Sequence, residues 1–248
     1  MITLGTVAAV AGIILAAAAV QRSVGFGLAL FAVPLLAFVV PTKSAVVIVF
    51  LDGAIISAWL VARLWHEIDW ATTRPLGVGT FLGAPVGVVI LSVVSASTLR
   101  LILGVTTCLA AVWIAVSARR TSSSRKVARP VRTFAMGFIS GILNTSLATN
   151  GPPLVYELRR LGFEGDRFRA TISSVFVLSN LIGLPLLAAA GLVTRFDVAL
   201  AAAAVLPCIL GIGLGSRISG RMQPAYFTWS VDLLLLSTGV VTITKAFS

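Results

Sequence analysis

Two short stretches of this chain place polar and glycine residues between flanks that are almost wholly apolar. One is "QRSVGFG", with Gln21, Arg22, Ser23, Gly25 and Gly27; the other is "NTSLATNGPP", which brings Asn144, Thr145, Ser146, Thr149 and Asn150 up to Gly151, Pro152 and Pro153. Carboxamides and hydroxyls hydrogen-bond, glycine lets the backbone turn, and proline opens a helix at its first turn, where a missing N–H leaves nothing unsatisfied. Such residues suit holding a ligand better than breaking bonds. A helix that starts there presents free N–H groups and about half a positive charge, which together favour an anion. A third polar position is Asp52 in "FLDGAIIS", and 128 residues further on stands Asn180 in "VLSNLIGL".

The elements that carry these residues follow from composition. Of 248 residues, 58% are hydrophobic and only 11% charged, and the mean hydropathy is +1.05; soluble domains carry roughly a quarter charged residues. The reading is an all-α polytopic membrane protein, because long apolar runs recur where a barrel would show alternating ten-residue strands. The net charge of +11 suits orientation in a bilayer, since the Lys and Arg residues cluster between apolar runs; nucleic acid is not an expected partner. Cys108 and Cys208 lie in apolar runs without metal-ligand spacing and read as small hydrophobes, so no metal and no cofactor is expected. No Lys or Arg precedes the apolar part of residues 1–20, which therefore reads as mature structure.

Spans are expected near 44–62, 76–94, 99–117, 170–191, 198–215 and 226–246, each close to the ~20 residues a bilayer requires. Regions 4–40 and 133–163 are too long for one span and are broken in the middle, so each reads as a helix pair, either a re-entrant hairpin or two short spans. The loop "ARRTSSSRKVARPVR" holds six basic residues and is assigned to the cytoplasm. Threading from it puts fourteen basic residues inside and four outside, namely Lys43, Arg100, Arg195 and Lys245, with Arg22 at the first break. The chain then divides into a first membrane repeat (1–118), a basic cytoplasmic loop (119–132) and a second repeat (133–248), the repeats being inverted. At a spacing of 128 residues "IDW" faces "FDV", Gly83 faces Gly211, Gly87 faces Gly215 and Asp52 faces Asn180.

A helix can stop inside hydrocarbon only where protein or a wet cavity satisfies its backbone. Each break is therefore read as lining an anion site, with Gln21, Arg22, Ser23, Gly25 and Gly27 from the first and Asn144, Ser146, Thr149, Asn150, Gly151 and Pro152 from the second. The rival readings are a proline kink whose Asn and Thr residues bond neighbouring helices, and for Arg22 a side chain that snorkels to the interface. Gln21 and Ser23 can equally be end caps. Asp52, near the midplane of its span, reads as a proton carrier paired with Asn180, against the alternative of a structural hydrogen bond.

The whole chain resembles the sulfite exporter TauE/SafE (TSUP) family of membrane anion transporters. The resemblance rests on "QRSVGFGLALFAVPLL", on "IDW" before "FLGAPVG", on the basic central loop, and above all on "GFISGILNTSLATNGPPLVYEL". It implies export or uptake of sulfite, an organosulfonate or another small organic anion such as a carboxylate, coupled to protons or to the membrane potential, across the cytoplasmic (inner) membrane of a bacterium. Where family members commonly have a glycine-rich second break, this chain has "NTSLATN". The lipid bilayer is the other expected partner; monomer and homodimer both stay open.

The remaining marked residues read as structure. Gly79, Gly83 and Gly87, with Gly211 and Gly215, have small-xxx-small spacing and are expected at helix contacts. Trp59, Trp65, Trp70, Trp113 and Trp229 fall mostly at span ends, as an aromatic belt does. Asp232 is expected near an interfacial Arg, and Tyr156 and Glu157 either at the cytoplasmic mouth or in a solvated interface. The other functions weighed are a passive anion channel, a scaffold without transport, and an intramembrane protease; the single histidine, His66, lies in a loop, so no buried Ser–His pair is available.

Overall fold

The computed structural model describes residues 3–118, 129–219, 236–237 and 239–244. In order these form α1 (Leu4–Val24), α2 (Leu28–Leu36), α3 (Thr42–Leu64), a 3₁₀ turn (Trp65–Glu67), α4 (Trp70–Val93), α5 (Ala96–Ala118), α6 (Pro130–Leu147), α7 (Gly151–Arg160), α8 (Gly165–Ala189) and α9 (Arg195–Ser219). Residues 239–244 are also helical, and there is no strand among the described residues. Five helices are long and apolar enough to cross a membrane, within Leu4–Ser23, Thr42–Glu67, Trp70–Val93, Gly165–Ala189 and Arg195–Arg217. The protein is an all-helical, multi-pass membrane protein. Residues 119–128, Arg221, Trp229, Asp232, Lys245 and most of the expected last span lie outside the described residues, as does the side chain of Trp113.

Helix ends sit where the sequence supplies caps. The Thr3 hydroxyl accepts the Thr6 amide to start α1, and the Asp69 carboxylate accepts the Thr72 amide to start α4. At α9 the Thr194 hydroxyl accepts the Asp197 amide while Asp197 accepts from Thr194, a reciprocal cap. Asp69 also pairs with Arg167, and its backbone amide donates to Thr171, which clasps the start of α4 to α8. Partial burial works to raise the Asp69 carboxyl, but hydrogen bonds from Arg167 and Thr72 outweigh it and hold the group below the usual carboxylate range.

Both expected breaks are present, but the arms are unequal. In each pair a long helix is followed by a short one of nine or ten residues, α1 then α2 and α6 then α7. The first arm is longer than a half-span because Val7 to Val20 is apolar throughout and no left-handed residue ends the helix before Gly25.

Glycines set the closest helix contacts. A Cβ on Gly79, Gly83 or Gly87 of α4 would collide with backbone of Phe134, Phe138 or Ile142 of α6, and one on Gly137 or Gly141 of α6 with backbone of Leu76 or Thr80. Contacts that rise together along both chains make this a parallel seam. The same holds for Gly211 and Gly215 of α9, which lie on the backbone of Leu15 and Ala19 of α1. Helices α3 and α8 pack on each other and on both of these pairs, so α3 touches α9 and α8 touches α4.

Candidate functional site: a cavity between two broken helices

Helix α1 ends when Gly25 takes a left-handed conformation (φ 93°) and its amide caps the Gln21 carbonyl; α2 begins after Gly27, also left-handed at φ 113°. Helix α6 ends the same way at Ala148 (φ 54°), whose amide caps the Asn144 carbonyl, and α7 begins after Asn150. The two breaks match position for position at a spacing of 123 residues: Gln21 with Asn144, Gly25 with Ala148, Gly27 with Asn150. The Ser140 hydroxyl donates to the Asn150 carbonyl at 3.1 Å. Ser140 is ten residues into α6, so α7 starts beside a point about 15 Å along that helix at 1.5 Å per residue.

The short helices start beside each other, with the Phe26 ring lying where a Cβ on Gly151 would meet it at 3.3 Å. Between them is a cavity with about 420 Å³ of atom-free space, its mouth included. Its wall takes Gln21, Gly27 and Leu28–Leu30 from the first break, Asn144 and Ala148–Gly151 from the second, Val49, Phe50, Gly53 and Ser57 from α3, and Phe176 and Asn180 from α8. No charged side chain is in that wall among the described residues.

Donors outnumber committed partners here. The Gln21 Oε1 accepts the Leu28 amide at 3.1 Å, which leaves the Ala29 and Leu30 amides of the first turn of α2 without a partner among the described residues. Helix α7 offers less backbone, because Pro152 and Pro153 have no N–H and only Gly151 carries one in that turn. Asn144 is 3% exposed and its Nδ2 has no hydrogen-bond partner among the described residues. An unsatisfied buried donor costs about 1–3 kcal/mol, so this one is retained against stability. The Thr149 and Ser57 hydroxyls donate to the Leu147 and Gly53 carbonyls.

Of the sequence-marked residues, Gln21, Gly27, Asn144, Thr149, Asn150, Gly151 and Asn180 line the cavity. Six others do not. The Arg22 guanidinium lies 5.2 Å from the centre of the Trp59 ring, which also carries Arg63 on the second contact at 5.5 Å. The Ser23 hydroxyl bonds the Ala19 and Gly215 carbonyls, tying α1 to α9, and its own carbonyl accepts Arg169. Gly25 forms the turn, the Ser146 hydroxyl bonds the Ile142 carbonyl, and Pro152 is inside α7. Asp52 is fully buried one step around α3 from Gly53, towards α9, where Cys208 Sγ lies 3.8 Å from its carbonyl oxygen; neither carboxyl oxygen has a partner among the described residues.

Gly53 and Ser57 were not marked from sequence, although two small or polar residues one turn apart beside Asp52 were the available signal. Phe50 and Phe176 gave none, being ordinary in apolar helices. Glu157 is neither at a mouth nor solvated: fully buried, it accepts from Arg160 at 2.7 Å, Thr133 at 3.0 Å and Arg132 at 3.2 Å, which pins the foot of α7 to α6.

An all-helical bundle crossing the membrane several times, with two broken helices meeting on an open cavity of mixed apolar and uncharged polar lining, defines the class of membrane protein. The chain belongs to the sulfite exporter TauE/SafE family, whose model matches residues 10–242. Over 178 residues, 71% of this chain and 73% of the relative, it is 24% identical to the "Probable inner membrane transporter protein TsaS" of Comamonas testosteroni. No solved structure matches it.

Proposed function

We propose that the protein is a secondary transporter that carries sulfite, an organosulfonate or a similar small organic anion across the inner membrane, holding it in the cavity between the starts of α2 and α7. The observation that carries this reading is that Asn144, whose buried Nδ2 has no partner among the described residues, lines that cavity beside free helix-start amides. Phe50, Phe176 and Val49 in the same wall suit an organic group attached to the anionic head. Asp52, close behind the wall, is assigned to proton coupling.

The reciprocal packing supports inverted repeats. The first arm of each half lies parallel to the fourth helix of the other, α1 with α9 and α6 with α4, and the two third helices, α3 and α8, meet between them. On this reading, which the basic bias of the loops supports, residues 119–132 are cytoplasmic. Single cysteines at Ser123 and Asp166, in a protein lacking Cys108 and Cys208, are expected to be protected from an impermeant thiol reagent in intact cells, and one at Thr194 to be labelled. Labelling at Asp166 without labelling at Thr194 overturns that topology.

The site is tested on purified protein by titrating sulfite, methanesulfonate, sulfate and acetate and following the rise in melting temperature that binding to the native state produces. Asn150→Leu is expected to weaken the anion that binds best by about 5-fold to 150-fold, the effect of losing one contact of about 1–3 kcal/mol. Unchanged affinity in a folded Asn150→Leu protein makes the second break a structural kink. In proteoliposomes, flux that saturates and runs uphill under an imposed pH gradient identifies a carrier; unsaturable, strictly downhill flux identifies a channel.

A further inference from the structure

Two independent registers place Gln21 and Asn144 at the same point of the two halves. The first is the helix end: each residue's carbonyl accepts the amide of the left-handed residue four positions on, Gly25 or Ala148, at 2.7 Å in both cases. The second is the glycine seams: Gly211 and Gly215 lie on the carbonyls of Leu15 and Ala19, Gly83 and Gly87 on those of Phe138 and Ile142, again 123 residues apart. Gln21 and Asn144 are 4% and 3% exposed, and both line the cavity.

Their orientation is constrained as well. The Leu28 amide occupies the Gln21 Oε1, which turns the NH₂ group of that carboxamide away from the α2 backbone. The Asn144 NH₂ group is buried without a partner among the described residues. Charged side chains on the helices that form the cavity, such as Arg22 and Asp52, lie outside its wall.

We propose that Gln21 and Asn144 are a matched pair of neutral donors, one from each half, that grip the oxygens of the oxyanion from opposite sides and set its specificity by hydrogen bonding without a Lys or Arg partner. This inference rests on the anion-binding reading above. An oxyanion such as a sulfonate presents acceptors on all its oxygens and satisfies both NH₂ groups at once. A neutral pair also leaves the charge of the bound anion unpaired in the wall, which limits affinity and favours release on the far side of the membrane.

Two variants of the full-length protein test it, with methanesulfonate as probe because it stays ionised across the range. Asn144→Leu deletes a buried donor that has no partner among the described residues, so the ligand-free melting temperature is expected to stay level or rise while Kd weakens about 10-fold or more. Gln21→Glu keeps an oxygen for the Leu28 amide but replaces the NH₂ group by a second oxygen, which donates only when protonated. Its Kd relative to wild type is expected to be at least about 10-fold worse near pH 8 than near pH 5. Wild-type affinity in Asn144→Leu, or a Gln21→Glu ratio that does not change with pH, overturns the pair while leaving the transporter reading standing. Failure of the wild-type protein to bind methanesulfonate, sulfite, sulfate or acetate overturns both.

Discussion

Reconstituted Asp52→Asn protein is expected to bind the anion with wild-type affinity near pH 5.5 and to lose all uphill accumulation driven by a proton gradient. Asp52 is 0% exposed, and neither of its carboxyl oxygens has a hydrogen-bond partner among the described residues. A carboxylate ion in such a place costs several kcal/mol without a counter-charge, and among the described residues no ion pair reaches Asp52, so this state of the protein tolerates the protonated form. Asp52 adjoins the cavity through Gly53, its neighbour on α3, and an ionised Asp52 would repel an anion there. Under the proposed coupling, proton and anion enter together and leave together. Asparagine copies the protonated side chain, so the variant keeps binding but has no proton to move, and its affinity no longer varies between about pH 5.5 and 8.5. Wild-type accumulation and wild-type pH dependence in Asp52→Asn liposomes make Asp52 a structural residue.

Much of the helical layout could be read from the residues themselves, because bilayer thickness and basic loops constrain apolar runs strongly. The breaks were legible for the same reason: "QRSVGFG" and "NTSLATNGPP" are out of place in hydrocarbon unless the helix stops. Direction around a helix was harder. Asp52 and Asn180 stand 128 residues apart and look equivalent, yet Asn180 is in the cavity wall and Asp52, whose backbone carbonyl lies against Cys208 of α9, is not. Arg22 reads as an anion ligand by charge, but Trp59 offers its guanidinium an aromatic face and takes it. The pairing of Gln21 with Asn144 was hidden by a change of register, since the breaks match at 123 residues and the later helices at 128. The third helices still start 123 residues apart, at Thr42 and Gly165, so the two spacings diverge beyond those starts, and no single offset in the sequence reveals both.

Gly83→Val is expected to yield little folded protein, and Gly83→Ala protein that melts roughly 6 to 12 °C lower in detergent, because α4 and α6 touch backbone to backbone at this point. A Cβ on Gly83 would overlap the Phe138 carbonyl oxygen, and the carbonyl cannot move aside without breaking the α6 ladder. Overpacking against flexible side chains costs about 1–3 kcal/mol; against fixed backbone the upper end is the starting point, and about 3 kcal/mol corresponds to that melting shift in a chain of this size. The seam also positions the ligand pair. Thr145, next to Asn144, donates to the Ala84 carbonyl at 2.7 Å, and its hydroxyl fills the space a Cβ on Gly87 would enter. Gly87→Ala must displace that hydroxyl, so it is expected to weaken anion binding beyond its effect on melting, whereas Gly79→Ala, at the far end of the seam, alters melting alone. Stability is read by thermal unfolding and affinity by titration on the same samples. Equal melting of Gly83→Ala and wild type would mean the two helices are not held this close in the membrane, and Asn144 would then lack the support that aims it at the cavity.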